Sequence, residues 1–572
     1  MCVCSQSPLP TPSHTAQLHK YGGDTDLKYN KIKCSSKCFG GATERVTYVE
    51  QARARHNNTI LLDVGGMWHG STFAYKFKGS VSAEFASQMK YDVLGVDQSD
   101  FFNGVSGFVT FLKGCFKSGT PIPVVSSNLN VGNEPMLHAQ RTGEPGAMIA
   151  SYAIVNVIPG GNTVSTGGCN VQSTGTSANN GTKVGVISLI NKEAATRSSM
   201  GNTVTVQQDL KLATNQAISN LRKAHPTCDK IILLASTSWE AELKPVLEQV
   251  EHIDVAILND GLNGLASYPT IVKHAVTGKK VLVIGTQMYG KEVGHLNVVF
   301  DNNGEIKAYD GSAVMLRTYP SPVGCSGTDC HKLDNGTVTA EGGFGTVKGT
   351  FPFDATSYAV MKTRWTTLQD VKTSYAGKIT RTIDGAREPS LTDNKFTFFD
   401  ETGAAATYPS NDKWWVSGTR HGESPVGRLC AAALMDHCKD CDGAFNNGGY
   451  LRDTISYTAG TNVTFNDILN VFPFQNTIST FRIQGKWFLD VLEHSVAAYD
   501  PTDGDGKFFG AVAGFRFAWN PTAPDNSKIA IVQFYNKAVK KWEDLKPQNY
   551  YKLATNNYIR GGVSLERSES KP

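Results

Sequence analysis

Leu61-Leu62-Asp63-Val64-Gly65-Gly66-Met67-Trp68-His69-Gly70 runs from an apolar segment into a glycine turn, with an acidic residue where the two meet. The apolar part, Thr59–Val64, lacks the polar alternation of a half-exposed strand, so it predicts a strand covered on both faces. Gly65 and Gly66 then mark the turn. The same pattern recurs outward from this point. Ala83–Met89 reads as helix and Tyr91–Val96 as the next strand. Pro123–Ser126, Lys183–Leu189, Lys230–Leu234, Asp254–Leu258 and Lys280–Ile284 are further short Val/Ile/Leu runs. Helical segments lie between several of them, at Val206–Ala224 and Glu240–Val250. Buried strands separated by helices predict a layered α/β domain. Residues 156–182, rich in Gly, Ser, Thr and Asn, read as a surface loop.

Beyond this domain, Asp354–Tyr375 carries Tyr358, Val360, Met361, Trp365, Leu368 and Val371 at helical spacing with no internal Pro or Gly. It predicts one long helix connecting two domains. Residues 376–572 predict a second α/β domain, with helices at Val426–His437, Phe465–Val471 and Lys486–Ala498. Strands are expected near Lys528–Tyr535 and Tyr550–Thr555, and 391–416 as a polar insertion whose Phe399, Tyr408, Trp414 and Trp415 offer a contact surface for protein partners or self-assembly. Residues 1–17, rich in Ser, Thr and Pro, predict an extended arm.

A length of 572 residues implies two or three domains. A net charge of only +4, without basic runs or basic–aromatic interleaving, speaks against a nucleic-acid partner. No apolar stretch approaches the ~20 residues that span a bilayer. The opening Met1-Cys2-Val3-Cys4-Ser5-Gln6-Ser7-Pro8 has no signal-peptide core, so an export signal is expected to be already removed or to lie upstream. Twelve cysteines and the sequons at Asn57, Asn180, Asn335 and Asn462 together predict an oxidising, secreted or cell-surface setting and a glycoprotein. Cys325 and Cys330 form a close pair, and Cys430 is expected to bond Cys438 or Cys441. Cys-x-x-Cys occurs once, at Cys438–Cys441, with no second such pair to complete a zinc site.

Several motifs carry a specific resemblance. Leu61-Leu62-Asp63-Val64-Gly65-Gly66, Cys34-Ser35-Ser36-Lys37-Cys38-Phe39-Gly40-Gly41-Ala42 and Lys183-Val184-Gly185-Val186-Ile187 lie in the first part of the chain. Tyr289-Gly290-Lys291-Glu292-Val293-Gly294 is followed by Phe300-Asp301. Later come Asn447-Gly448-Gly449-Tyr450-Leu451-Arg452, Phe472-Pro473-Phe474-Gln475-Asn476-Thr477 and Glu493-His494-Ser495-Val496. In order and spacing these resemble the 5′-nucleotidase/apyrase family of metallophosphoesterases, from about Leu18 to Gly562. The resemblance implies a layered metallophosphoesterase-like β-sandwich flanked by helices at 18–350, the connector helix at 354–375, and a 5′-nucleotidase C-terminal-like α/β domain at 376–572. It also implies a Cys34–Cys38 disulfide.

The family hydrolyses phosphate esters with two cations held by His, Asp and Asn ligands. By resemblance those positions fall on His19-Lys20-Tyr21-Gly22-Gly23-Asp24, on Gly66, and on Asp97-Gln98-Ser99-Asp100-Phe101-Phe102. They continue at Ala235-Ser236-Thr237 and Leu258-Asn259-Asp260. The histidine ligands are gone, as are the aspartates that can be placed. Asp24, Asp97, Asp100 and Asp260 are read as solvated loop carboxylates, an all-oxygen cation site being their alternative. No metal, cofactor or catalytic residue is therefore expected in the first domain.

Nucleotide recognition fares differently. The family's ring positions correspond to Phe474 and Tyr558, and its polar positions to Arg420, Asn447 and Arg452. Aromatic faces with guanidinium donors hold a nucleoside or nucleotide without a metal. Against this, Tyr450 stands where the family has glycine, and Val563 where it has aspartate. The expected function is a secreted or surface 5′-nucleotidase-like pseudoenzyme, structural or nucleotide-binding. The alternative is an active extracellular hydrolase with rearranged ligands.

Overall fold

In a computed structural model the described residues are 2–5, 42–68, 72–117, 121–138, 149–159, 161–167, 181–259, 265, 267–286, 292–301, 303–318, 350–351, 354–380, 383–385, 395–399, 405–409, 425–451, 455–472, 474, 476–497, 509–520 and 522–561. The chain divides into two compact units, Met1–Gln369 and Asp370–Pro572.

Unit 1 strands run, in chain order, β1 (Cys2–Ser5), β2 (Ile60–Asp63), β3 (Val93–Leu94), β4 (Tyr152–Val157), β5 (Thr163–Gly167) and β6 (Thr182–Ile190). They continue with β7 (Lys230–Ser236), β8 (Val255–Leu258), β9 (Thr270–Lys273), β10 (Lys280–Gly285), β11 (Glu292–Phe300) and β12 (Ile306–Met315). One sheet has the order β12-β11-β1-β2-β3 and a second the order β9-β10-β8-β7-β6-β4-β5. Within them β1, β2 and β3 are parallel neighbours, as are β6, β7, β8 and β10.

Why the apolar runs are continuous becomes plain from their two faces. Ile60 and Leu62 of β2 share a core with Ile232 and Leu234 of β7 and with Val255 and Ile257 of β8. Leu61, between them, points the other way, into a core built with α1 (Ala42–Arg55), α2 (Ser80–Met89) and α3 (Gly104–Lys117). Leu233 and Ala235 likewise pack against α4 (Leu210–Ala224). Each strand thus buries both faces, a layered arrangement in which every fully buried Leu or Ile contributes about 1.5–3 kcal/mol. Helix α5 (Ala355–Thr373) adds Val360, Met361 and Leu368 to the core that holds Leu61.

Two expectations need correction. Cys2–Ser5, assigned to an extended arm, is the central strand of the first sheet. With no proline among its four residues, it hydrogen-bonds on both edges, to β2 and to β11. Thr163–Gly167, inside the stretch read as loop, is the edge strand β5 paired to β4. Its Thr163, Val164 and Thr166 are β-branched and favour that edge over a loop.

Unit 2 contains α6 (Pro425–His437), β13 (Gly443–Asn446), β14 (Ile478–Gln484), α7 (Gly485–Ala497), β15 (Ala511–Ala513), β16 (Phe515–Trp519), β17 (Ile529–Asn536), β18 (Lys541–Asp544) and β19 (Tyr550–Asn556). One sheet runs β14-β19-β13-β15 and a three-stranded sheet runs β16-β17-β18. Phe445, Phe488, Phe509, Phe515 and Phe534 fill the core. Among the described residues no helix is long and apolar enough to cross a membrane.

Candidate functional site

The carboxyl ends of β2, β3, β7 and β8 converge on Asp97. Val64 follows β2 into Gly65 and Gly66, whose backbones take φ of +104° and +75°. Those left-handed conformations suit glycine, and space demands it as well. A Cβ on Gly65 would stand 2.5 Å from the Asp97 nitrogen, and one on Gly66 would meet Ser99 Oγ at 3.0 Å and Asp97 Oδ1 at 3.2 Å. The loop after β3 therefore lies directly on the glycine turn.

Asp97 begins the one-turn helix Gln98–Phe101. Its Oδ1 accepts from the backbone N–H of Ser99 at 2.7 Å and from the Ser99 hydroxyl. Its Oδ2 accepts from the Ser236 hydroxyl, at the tip of β7, and from Asn259 Nδ2 at 3.1 Å, just beyond β8. One carboxylate thus takes four protein donors and joins the two sheets. Asp100, 1% exposed, closes the turn from behind: its Oδ2 accepts from Gly66 N at 3.0 Å and Asp97 N at 2.9 Å. Burial, then the charge of Asp97, and to a lesser degree that of Asp63, push the Asp100 carboxyl up to about 8. Asp63 ends β2, and its Oδ1 accepts from Gly65 N at 3.0 Å.

Asp97 and Asp100 are therefore not the solvated loop acids expected of them. Both are buried, because the helical turn they cap folds inward under the glycines. Asp24 and Asp260 lie outside the described residues, as do His19 and His69. The resemblance points to Ser236 and Asn259 without the contact that gives them a role. Their signal was position alone, each at or next to the end of an apolar strand.

In unit 2 the parallel strands β13 and β19 end side by side. Buried Asn556 links them: its Nδ2 donates to Asn446 Oδ1 at 2.7 Å, while its own Oδ1 accepts from Ile559 N at 2.8 Å. That second bond caps the turn Asn557–Arg560, which carries the half-buried Tyr558. Asn557 Oδ1 accepts from Thr477 N at 2.8 Å and so ties this turn to the segment following Phe474. Asn447, 8% exposed, starts the one-turn helix Gly448–Tyr450. Tyr450 lays its ring against Phe472 at 5.5 Å and, nearly parallel, against Phe474 at 6.4 Å. Burial, then nearby Cys430, raises its phenol well above the ordinary tyrosine value. The structure thus gathers Asn447, Phe474 and Tyr558 around two strand ends; Arg420 and Arg452 lie outside the described residues.

The cysteine expectation changes too. Cys438 bonds Cys441, across a Cα–Cα distance of 5.4 Å, and Cys430 is a free, buried thiol. Eight residues along a helix separate Cys430 from Cys438 by about 12 Å, beyond disulfide reach. Cys430 Sγ instead accepts from Asn446 Nδ2 at 3.3 Å, and burial pushes its thiol up to about 11. Cys34, Cys38, Cys325 and Cys330 lie outside the described residues, as do Asn180 and Asn335. Asn57 and Asn462 are exposed. Phe399 and Tyr408 fall on the paired strands Lys395–Phe399 and Ala405–Pro409, while Trp414 and Trp415 are outside the described residues.

The family described as 5′-nucleotidase, C-terminal domain, matches residues 404–565. Human 5′-nucleotidase is 22% identical, with 96% of this chain and 82% of that protein covered. A snake venom 5′-nucleotidase from Crotalus adamanteus is 23% identical over 96% of this chain and 80% of its own. Among solved structures, the 5′-nucleotidase precursor from Thermus thermophilus superposes with a TM-score of 0.60 at 21% identity, covering 98% of this chain and 90% of that one. The fold is accordingly the two-domain one of 5′-nucleotidase structures, a metallophosphoesterase-like N-terminal unit followed by a C-terminal domain. The chain is similar to 5′-nucleotidases over nearly its whole length, at 22–23% identity.

Proposed function

We propose that this chain is a 5′-nucleotidase-like pseudoenzyme, a secreted or cell-surface glycoprotein whose role is structural rather than hydrolytic. The observation that carries the reading is Asp97. A carboxylate offers about four acceptor positions, and here all four are taken by Ser99, Ser236 and Asn259. A pair of cations needs free carboxylate and imidazole lone pairs at the strand ends; these residues supply donors instead. The donor set does not fit the metal pair. Among the described residues, three potential ligand groups of the His, Cys, Asp or Glu type converge only at Cys438, Asp440 and Cys441, and the two cysteines are bonded to each other.

Support for the extracellular part comes from the Cys438–Cys441 disulfide, the exposed sequon residues Asn57 and Asn462, and the venom origin of one relative. The stacking of Tyr450 on Phe474 favours a structural role over nucleotide binding in unit 2. Phosphate release from AMP, ADP and ATP, with Mg²⁺, Mn²⁺, Zn²⁺ or Ca²⁺ added in turn, tests the proposal. No turnover above the protein-free blank is expected. Metal-dependent turnover at the rates of active 5′-nucleotidases would mean a working hydrolase with rearranged ligands.

A further inference from the structure

A cavity of about 400 Å³ opens in unit 1 at the amino ends of β7, β8 and β10. Ser236, at the tip of β7, bonds Asp97, whereas Lys230 begins that strand at the cavity. Extended chain of this length holds the two ends about 20 Å apart, so the cavity is separate from the glycine turn. The hairpin turn between β11 and β12 closes it from the first sheet. There a Cβ on Gly304, whose φ is +79°, would stand 2.5 Å from Asp229 Oδ2. Buried Ile231, Ile253 and Val281 give the cavity an apolar floor.

Charges of both signs around this floor go unmatched. Arg222, in the last turn of α4, donates only to His252 Nε2, on a ring that burial and then Arg222 itself keep neutral. Lys280 forms no ion pair among the described residues, in contrast to Lys279, which is paired with Glu305. His274 is buried, and its Nδ1 accepts from Thr277 N at 3.1 Å, which leaves its proton on Nε2 without a partner among the described residues. On the acidic side, Asp254 Oδ2 accepts from Ile231 N at 2.7 Å, and among the described residues no cation comes within ion-pair reach of this carboxyl. Burial first, then the charges of Glu305 and Asp229, push it up to about 7. Glu251 meets only the His252 ring, at 3.8 Å.

We infer that this cavity binds a small zwitterion, an α-amino acid with an apolar side chain, its carboxylate meeting Arg222, Lys280 and His274 Nε2 and its ammonium meeting Asp254. An anion alone would face Asp254 and Glu251 as like charges, and a cation alone would face Arg222 and Lys280. One molecule bearing both signs matches both sets. The guanidinium of Arg222 presents a planar fork suited to a carboxylate, and the apolar floor takes the side chain. The inference concerns the end of the strands remote from Asp97 and is independent of whether unit 1 hydrolyses anything.

Calorimetric titration of the full-length protein with L-leucine, leucinamide and isocaproate tests it, the last two keeping only the cation and only the anion. Leucine is expected to saturate at millimolar concentration or below, with leucinamide and isocaproate at least tenfold weaker. Asp254→Asn should weaken leucine at least tenfold while isocaproate binds no more weakly than to wild type. Arg222→Gln should weaken leucine and isocaproate alike. Circular dichroism and melting check that the variants fold, and Lys280→Gln, expected to act as R222Q does, replaces either one that does not. Absence of saturable leucine binding would overturn the inference. So would leucine binding that the folded variants leave unchanged, or isocaproate binding as tight as that of leucine.

Discussion

At the scale of single residues, Asp97 is the atom-level reason the two unit 1 sheets meet as they do. Two of its four hydrogen bonds come from its own turn after β3 and two from the ends of β7 and β8 in the second sheet, so it cannot be removed without orphaning several buried donors. An unsatisfied buried donor costs about 1–3 kcal/mol, and partial relaxation reduces the sum. Asp97→Ala is expected to lower unfolding stability by about 2–4 kcal/mol in urea titrations, with chelator or added metal making no difference to the loss. A chelator-sensitive loss would point to a cation at Asp97. The sequence announced that something had changed here, since Gly66 stands at a ligand position and no histidine falls in the motif around Ser99. It did not announce the replacement. The partners of Asp97 lie 139 and 162 residues away, at strand ends whose apposition only the folded sheets create.

At the scale of elements, legibility followed burial. Runs covered on both faces, such as those forming β2, β7, β8 and β10, were readable because no other local structure explains uniform Val/Ile/Leu content. Helix α6 was readable from periodicity, within one residue at its start. Strands β1 and β5 were not: each is short, β1 depends on partners distant in sequence, and β5 is an edge strand paired only to its neighbour β4. The connection from α6 to β13 shows the same division. The cysteine spacing there predicted a bond but chose the wrong partner, because Cys430 faces Asn446 and the buried side of the helix. The Cys438–Cys441 bond closes a loop of three residues' separation. Chain-entropy arguments give so small a loop about 2 kcal/mol. Cys438→Ser/Cys441→Ser should lower the unfolding stability of unit 2 by that amount while Cys430 stays unreactive to thiol reagents in the folded state. Rapid labelling of Cys430 in the native protein would contradict its burial.

At the scale of the whole molecule, the buried acids set how stability responds to pH. Glu44, 1% exposed in the first turn of α1, is pushed up to about 7, mainly by burial and against the Thr43 hydrogen bond and the Arg45 charge. A helix N-terminus ordinarily favours an ionised carboxylate, so burial outweighs the dipole here. Asp100 is held at about 8, and Asp254 is pushed up to about 7, by burial first and then by Glu305 and Asp229. The sign follows from proton counting. Between the ordinary carboxyl pKa and these raised values the unfolded chain has released protons that the folded chain still holds, so stability falls as pH rises. The penalty is absent near pH 4 and complete above about pH 8. Exposed Asp301, Asp436 and Asp440, whose carboxyls are held low, act only below that window. The melting temperature is therefore expected to be higher at pH 5 than at pH 8.5, and Glu44→Gln, which keeps the shape without the titration, should flatten the slope. At pH 8.5 E44Q should exceed wild type by on the order of 2 kcal/mol, and at pH 4.5 the two should nearly coincide. A melting temperature that rises from pH 5 to pH 8.5, with E44Q parallel to wild type throughout, would show that these carboxyls ionise freely in the folded chain and that Glu44 is not buried as described.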